Sequence, residues 1–235
     1  MKRIDIPVEP AGPPRVLVLF PRTSYRAGAF VEAGRRLGVD LVVGTDHRQA
    51  LADLLPDRSL PLNLYRPEEA LQRIEQAHRT RPFQAILGVD EPTVYLAALA
   101  GQRLGLPGNS AQSTRICWLK HLLRQRLSRA GLPQPPFQTL DIREKDLLSQ
   151  LSLPFPLVVK PVFLSASRGV VRVNGPDELS AALDSLRDIL SRPEVRRKDR
   201  EYADLVLVET YIPGQEVALE GLLREGQLEV LALFD

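Results

Sequence analysis

Pro156-Leu-Val-Val-Lys160-Pro161, followed by Ser165-Ala-Ser-Arg-Gly169 and Val170-Val-Arg-Val173, is the stretch on which the fold turns. Leu157 to Lys160 is a short apolar run ending in a lysine, which predicts a strand whose last side chain has a packed stem and a confined ammonium. Such a group meets an anion with little further loss of freedom. A small, polar loop then leads into a second extended run, so the chain is expected to double back as an antiparallel hairpin. At its tip the backbone N–H groups and the hydroxyls of Ser165 and Ser167 are suited to phosphate oxygens. Because Gly169 is the only glycine of that loop, an ordinary hairpin explains it equally well when it is taken alone.

Upstream, Leu106-Pro-Gly-Asn-Ser110 is a turn delivering the chain into a helix expected from about Ala111 to Ala130, ended by Gly131 and the prolines at 133, 135 and 136. Ile116, Leu119, Leu123, Leu127 and Ala130 form one stripe on it, and Lys120 falls at the stripe's edge. A boundary lysine of this kind usually just snorkels past apolar neighbours. Paired with Lys160 it acquires another meaning, since two lysines framing a small-residue loop can clamp a polyphosphate. A strand is expected around Phe137 to Leu140 and a helix near Glu144 to Leu151.

Downstream, a helix is expected from Gly175 to about Leu190, then a charged, mobile loop from Pro193 to Tyr202 in which Arg196-Arg-Lys198 reads as solvated. The strand Leu205-Val-Leu-Val-Glu209 follows, and Thr210-Tyr-Ile-Pro-Gly214-Gln-Glu216 turns away from it. Amides at a strand edge suit a flat base, and a carboxylate suits hydroxyl donors better than phosphates. Glu209 and Glu216, seen singly, would be exposed strand-end residues.

The first half reads differently. Met1 to Pro14 is a polar, proline-rich tail, and the fold begins at Arg15. Val16-Leu-Val-Leu-Phe20, a helical stretch to Leu37 and Leu41-Val-Val43 form a strand, helix, strand unit. The pattern repeats through Leu60 to Leu64, a helix from Pro67 to about His78, and Ala85-Ile-Leu-Gly-Val89. That alternation predicts a parallel sheet wrapped by helices, with ligands at the carboxyl ends of its strands. Thr23 to Arg26 and Asp90-Glu91 are therefore candidate acceptor-binding groups. A plainer reading is that Asp90 caps a helix opening at Pro92. Gly101, Gly105 and Gly108 follow a helix instead of opening one, so no dinucleotide fingerprint is present. A boundary near Asn109 divides the chain into a tail at 1–14, a domain at 15–109 and a domain at 110–235.

The 235 residues are 44% hydrophobic and 26% charged, ordinary globular usage with no apolar run able to cross a bilayer. The net charge of +2 is too small to mark a nucleic-acid partner. Cys117 has no second cysteine to pair with, and the start lacks a secretory core, so a reducing cytoplasm is the expected address. Cys117, His47, His78 and His121 show neither triad nor zinc-ligand spacing and read as structural or surface residues.

Taken in order, Lys120, Val158-Val-Lys160-Pro161, the Ser165 to Gly169 loop, Val208-Glu209-x-x-Ile212 and Pro213-Gly214-x-Glu216 resemble the ATP-grasp superfamily. The resemblance implies an α/β chain: an N-terminal, Rossmann-like parallel-sheet domain preceding a partial α+β ATP-grasp domain. It implies ATP and Mg2+ as cofactors, and a ligase that activates a carboxylate as an acylphosphate for attack by an amine. Lys120 and Lys160 would contact phosphates, with Ser165, Ser167, Arg168 and Gly169 in the covering loop. Glu209 and Ile212 would line the adenine pocket, backbone groups at Tyr211 and Ile212 would read the base, and Glu216 would hold the ribose. Arg22, Arg26 and Arg168 are candidates to bind the carboxylate of the acceptor, a small acid with amino acids among the options.

Two departures from the family pattern stand out. Leu119 precedes the first lysine where an acidic or amide residue is usual. Glu220, Glu229 and Asp235 are the late carboxylates, and none stands in the Glu-x-Asn pattern of the family's metal ligands, so no metal ligand is expected in this chain. The expectation is thus the ATP-binding portion of a ligase, inactive alone and lacking its metal-binding end. The alternative is a noncatalytic nucleotide-binding or partner-binding module.

Overall fold

The computed structural model describes residues 12–22, 24–46, 58–91 and 93–235. The first half is built as strand and helix alternate: β1 (Arg15–Phe20), α1 (Ala27–Arg36), β2 (Asp40–Thr45), β3 (Ser59–Pro61), α2 (Pro67–Thr80), β4 (Ala85–Gly88) and α3 (Thr93–Leu104). The strands pair in parallel in the order β3-β2-β1-β4, with Val18 beside Val43 on one side and Leu87 on the other. Period-two alternation of β1 explains the layers. Leu17 and Leu19 join Ala70, Leu71 and Ile74 of α2 and Leu96, Ala97 and Ala100 of α3, while Val18 and Phe20 face Phe30 and Val31 of α1. Phe20 and Phe30 meet edge to face at 5.5 Å. Each such fully buried side chain contributes about 1.5–3 kcal/mol.

The second half contains α4 (Ala111–Trp118), α5 (Lys120–Arg129), β5 (Phe137–Asp141), β6 (Leu157–Pro161), β7 (Val171–Val173), α6 (Pro176–Ser191), α7 (Pro193–Arg196) and β8 (Leu205–Thr210). An antiparallel sheet in the order β5-β8-β6-β7 packs Leu157, Val159 and Val173 against Leu179, Leu183, Leu186 and Leu190 of α6. The expected hairpin between Leu157 and Val173 is therefore present. Finally β9 (Ala218–Arg224) and β10 (Gln227–Phe234) form a separate antiparallel ribbon.

Several expectations are corrected. The helix from Ala111 to Ala130 is two helices, because Leu119 is extended (φ −88°, ψ 103°) and fully buried. Its amide closes α4 on the Arg115 carbonyl at 3.0 Å, and the next amide, Lys120, leaves the helix pattern for the Val162 carbonyl at 2.9 Å. No helix forms from Glu144 to Leu151; the segment is a set of turns held by Gln138, whose side chain donates to the Gln150 carbonyl at 2.6 Å. The Pro193 to Tyr202 segment is anchored by buried Val195 and Asp199. Arg196 stays in contact with solvent at 42% side-chain exposure, but it is tethered, its guanidinium gripping Asp204 at 2.7 and 3.1 Å. The Asp90 side chain turns to Arg26, while its backbone carbonyl receives the amides of Thr93 and Val94. Thr23, His47, Pro92 and most of the tail lie outside the described residues.

Candidate functional site

Strand register assembles the centre of the site. Glu209 on β8 lies opposite Val158 of β6, and Lys160 lies opposite Leu207, so the two charged side chains are diagonal neighbours on one face. Lys160 Nζ bonds Glu209 Oε2. The helix α5 covers this face, and Arg124 Nε reaches Glu209 Oε1 at 2.5 Å. Glu209 is 4% exposed. Burial pushes its carboxyl upward, but hydrogen bonds from Arg124 and Lys160, and their charges, outweigh this and hold it below the usual carboxylate range. Glu209 is thus a charged acceptor with a cation on each oxygen.

Lys120 is the first residue of α5 and sits beside the loop that leaves β6. Its Nζ donates to the Leu164 carbonyl at 2.5 Å, its amide to Val162, and the neighbouring Trp118 Nε1 to the Phe163 carbonyl at 3.1 Å. Three successive loop carbonyls are therefore pinned to the α4–α5 junction. Burial pushes the Lys120 ammonium below its usual range; Glu91 opposes that shift, Lys160 adds to it and Glu209 opposes it. A phosphate in reach of Lys120 and Lys160 relieves this mutual repulsion, which is the electrostatic condition for anion binding.

Beyond the pinned carbonyls, Ser165, Ala166 and Ser167 are exposed. Ala166 and Ser167 both adopt left-handed backbone (φ 55° and 54°), a conformation that costs about 1–2 kcal/mol per L-residue. Gly169 (φ +77°) closes the turn, and a Cβ there would lie 2.8 Å from Leu186 Cδ2. The tip is a compact, strained turn stitched by Arg168 N to the Ser165 carbonyl at 3.3 Å and Val170 N to the Ser167 carbonyl at 3.1 Å. Arg168 is half-buried at its base.

On the other side of Glu209 the chain leaves β8. The Tyr211 amide is committed to the Pro156 carbonyl at 3.0 Å. Ile212 is 65% exposed, and Glu216 is exposed beyond the Gly214 turn. The Tyr211 ring carries the Arg172 guanidinium 4.1 Å above its centroid, fixing the wall of this edge to β7.

At the carboxyl end of β4, Glu91 lines a cavity of about 390 Å³ with Val94, Tyr95, Asn109, Cys117 and Trp118. Glu91 keeps solvent access, yet enough protein surrounds its carboxyl that burial pushes it up, with Lys120 pulling the other way. The charge of Lys120 acts on Glu91, so this cavity neighbours the cluster of Lys120, Lys160 and Glu209. Gly88 positions it, because a Cβ there would sit 2.4 Å from the Thr93 backbone that opens α3. Arg26 is paired with Asp90 at 3.2 Å. Arg22 is set by its amide, which donates to Asp46 at 3.0 Å.

Among the expected site residues, the structure brings Lys120, Lys160 and Glu209 together; the serines and Glu216 stand exposed at the rims. Sequence reasoning missed Arg124 and Lys198. The signal for Arg124 was spacing: it lies four residues after Lys120, on the same face of one helix. Lys198 is half-buried, and burial and then Arg168 push its ammonium down while Glu91 holds it up. Among the described residues no group of three or more His, Cys, Asp or Glu side chains could hold a metal ion, and none of their helices is long and apolar enough to cross a membrane.

Comparison with known proteins bears on the family and the fold. A family model described as the ATP-grasp N-terminal domain matches residues 31–108, and one described as the ATP-grasp domain matches residues 153–235. The crystal structure of an L-amino acid ligase from Bacillus licheniformis superposes with a TM-score of 0.79 at 27% identity, covering 94% of this chain and 52% of that one. A D-alanine–D-alanine ligase of Trichlorobacter lovleyi is 36% identical over 128 residues, 53% of this chain and 36% of that protein. Carnosine synthase 1 of Gallus gallus is 27% identical over 210 residues, 84% of this chain and 23% of that protein. The chain therefore spans about half or less of the length of these relatives.

Proposed function

The chain belongs to the ATP-grasp superfamily, with the N-terminal and the ATP-grasp domain both represented, and from that premise we propose that it is the ATP-binding portion of a ligase that joins a carboxylate to an amine. The observation that carries the reading is the cluster of Lys120, Lys160 and Arg124 around Glu209, beside a strained loop pinned by α4 and α5.

In this reading Lys120 and Lys160 clamp the ATP phosphates, and the Ser165 to Gly169 loop, with Arg168, closes over them. The base lies against Ile212 and Tyr211, beside the Glu209 carboxylate, and Glu216 accepts from ribose hydroxyls. The acceptor is a small acid in the Glu91 cavity. An amino acid fits that cavity, because Glu91 offers a carboxylate to its ammonium and Val94, Tyr95 and Trp118 offer apolar walls. An acceptor carboxylate oxygen attacks the terminal phosphorus, the bond to ADP breaks, and an acylphosphate forms. An amine then attacks the carbonyl carbon, phosphate leaves, and the amine loses a proton. The chain's own contribution is positioning and charge neutralisation. Mg2+ would neutralise the transferred phosphate, and the described residues present no cluster of three or more His, Cys, Asp or Glu side chains to hold it.

The test is calorimetric titration of the chain with a nonhydrolysable ATP analogue and Mg2+, repeated with Lys160→Ala. Binding by the parent chain that collapses in the variant supports the clamp. No binding by a folded parent chain, or equal binding by both, removes it.

A further inference from the structure

Arg124 touches no part of the nucleotide in the reading above, although it makes one of the two bonds that fix the central carboxylate. Glu209 is a side chain 5% exposed, with Arg124 on Oε1 and Lys160 on Oε2. A lysine that serves a phosphate must be free to shift toward it. If Lys160 were the only partner, that shift would leave Glu209 buried and uncompensated, which is among the costlier events in a protein interior.

We propose that Arg124 is a positioning residue of the nucleotide site: it holds Glu209 in place as a charged acceptor, so that Lys160 can leave Glu209 for a phosphate. This rests on the nucleotide reading given above.

The chemistry of the two cations fits the division of labour. A guanidinium is planar, always charged and holds a carboxylate in a fixed orientation, whereas an ammonium on a flexible stem redirects its donors easily. Arg124 is anchored as well: its own carbonyl accepts from Gln134 Nε2 at 2.9 Å, and Lys120 lies one turn before it on α5. The charged groups facing Glu209 are Lys160 from β6 and Arg124 and Lys120 from α5; from β5 the register partner is Phe137, which carries no charge. Replacing Arg124 by a neutral group would make Lys160 the single counter-ion touching Glu209. Phosphate and Glu209 would then compete for one ammonium, and Glu209 would take up a proton when the phosphate won.

The experiment is a titration of the full chain and of Arg124→Gln and Arg124→Lys, each checked for folding by circular dichroism. The ligands are a nonhydrolysable ATP analogue with Mg2+ and, separately, adenosine, whose lack of phosphate leaves Lys160 on Glu209. Arg124→Gln should weaken the triphosphate analogue by at least about tenfold and adenosine by no more than about twofold. Its deficit should shrink between about pH 8 and about pH 6, with proton uptake beyond that of the parent chain in buffers of different ionisation enthalpy. Arg124→Lys should recover most of the affinity. Equal losses for both ligands, or a deficit that ignores pH, would overturn the inference and leave the nucleotide reading standing. A folded parent chain that binds no triphosphate would remove both. Should Arg124→Gln not fold, the double variant with Glu209→Gln is compared with Glu209→Gln alone: matching affinities support the inference, and a further loss overturns it.

Discussion

Lys160 and Glu209 are diagonal neighbours across the β6–β8 ladder and meet as an ion pair on the face covered by α5. The pair is nearly dry, at 16% and 5% side-chain exposure. Its partners therefore depend on each other more than surface charges do.

Lys160→Ala removes one of the two cations on Glu209 and leaves Arg124 to compensate. A stability loss of about 1–3 kcal/mol is expected, less than for a buried pair broken without a remaining partner. Urea denaturation checks it, and a loss above about 4 kcal/mol would mean that Arg124 does not compensate.

Acid should find the same cluster. The folded-state Glu209 carboxyl is depressed by its two cations, so its contribution is fully present above the ordinary carboxyl value of about 4.3 and is lost as pH falls through the depressed folded value. Glu209→Gln should therefore be less stable than the parent chain at neutral pH and lose less on acidification. Parallel stability-against-pH curves for the two proteins would refute this.

Trp118→Phe keeps the apolar bulk and deletes the bond from Nε1 to the Phe163 carbonyl. A buried carbonyl loses its donor, for an expected cost of about 1–3 kcal/mol. Hydrogen exchange should quicken at the 162–169 loop amides; unchanged exchange there would show that the bond does not hold the loop.

Gly169→Ala forces a side chain into left-handed backbone and against Leu186 and Pro161, with a loss of about 2–4 kcal/mol expected. Ser167→Gly, at φ 54°, relieves strain and adds backbone entropy of similar size, about 1 kcal/mol each, and should leave stability unchanged. Thermal melts of the pair check both; a neutral Gly169→Ala would contradict the packing at the hairpin base.

Much of this fold was legible because local signals agreed with tertiary ones. The alternating runs at Val16, Leu41 and Ala85 became neighbouring parallel strands, and Leu157 to Lys160 paired with Val171 to Val173. The break at Leu119 was not legible, because Leu119 fits the apolar stripe of one continuous helix and only the distant Val162 carbonyl draws the next amide away. The missing helix at 144–151 has the same cause, Gln138 binding the Gln150 carbonyl from across the sheet edge. At the site, Lys120, Lys160 and Glu209 could be nominated from spacing, but the company Arg124 keeps with Glu209 depends on how α5 lies over β6 and β8. Lys198 was discounted for its charge run, which says nothing of the Glu91 and Arg168 charges around it.

The terminal ribbon sets a practical condition on all of these measurements. Leu222, Leu223, Val230, Leu231, Leu233 and Phe234 stand more than half in water, or half in the case of Phe234, on two strands that, among the described residues, pair with each other alone. An apolar two-stranded ribbon with open edges is an adhesive. Copies of this chain should cling to one another as concentration rises, more so in sulfate, which strengthens apolar association. Dilution is then as much a part of a clean titration as the choice of ligand, and light scattering recorded alongside the heat would separate binding from clumping.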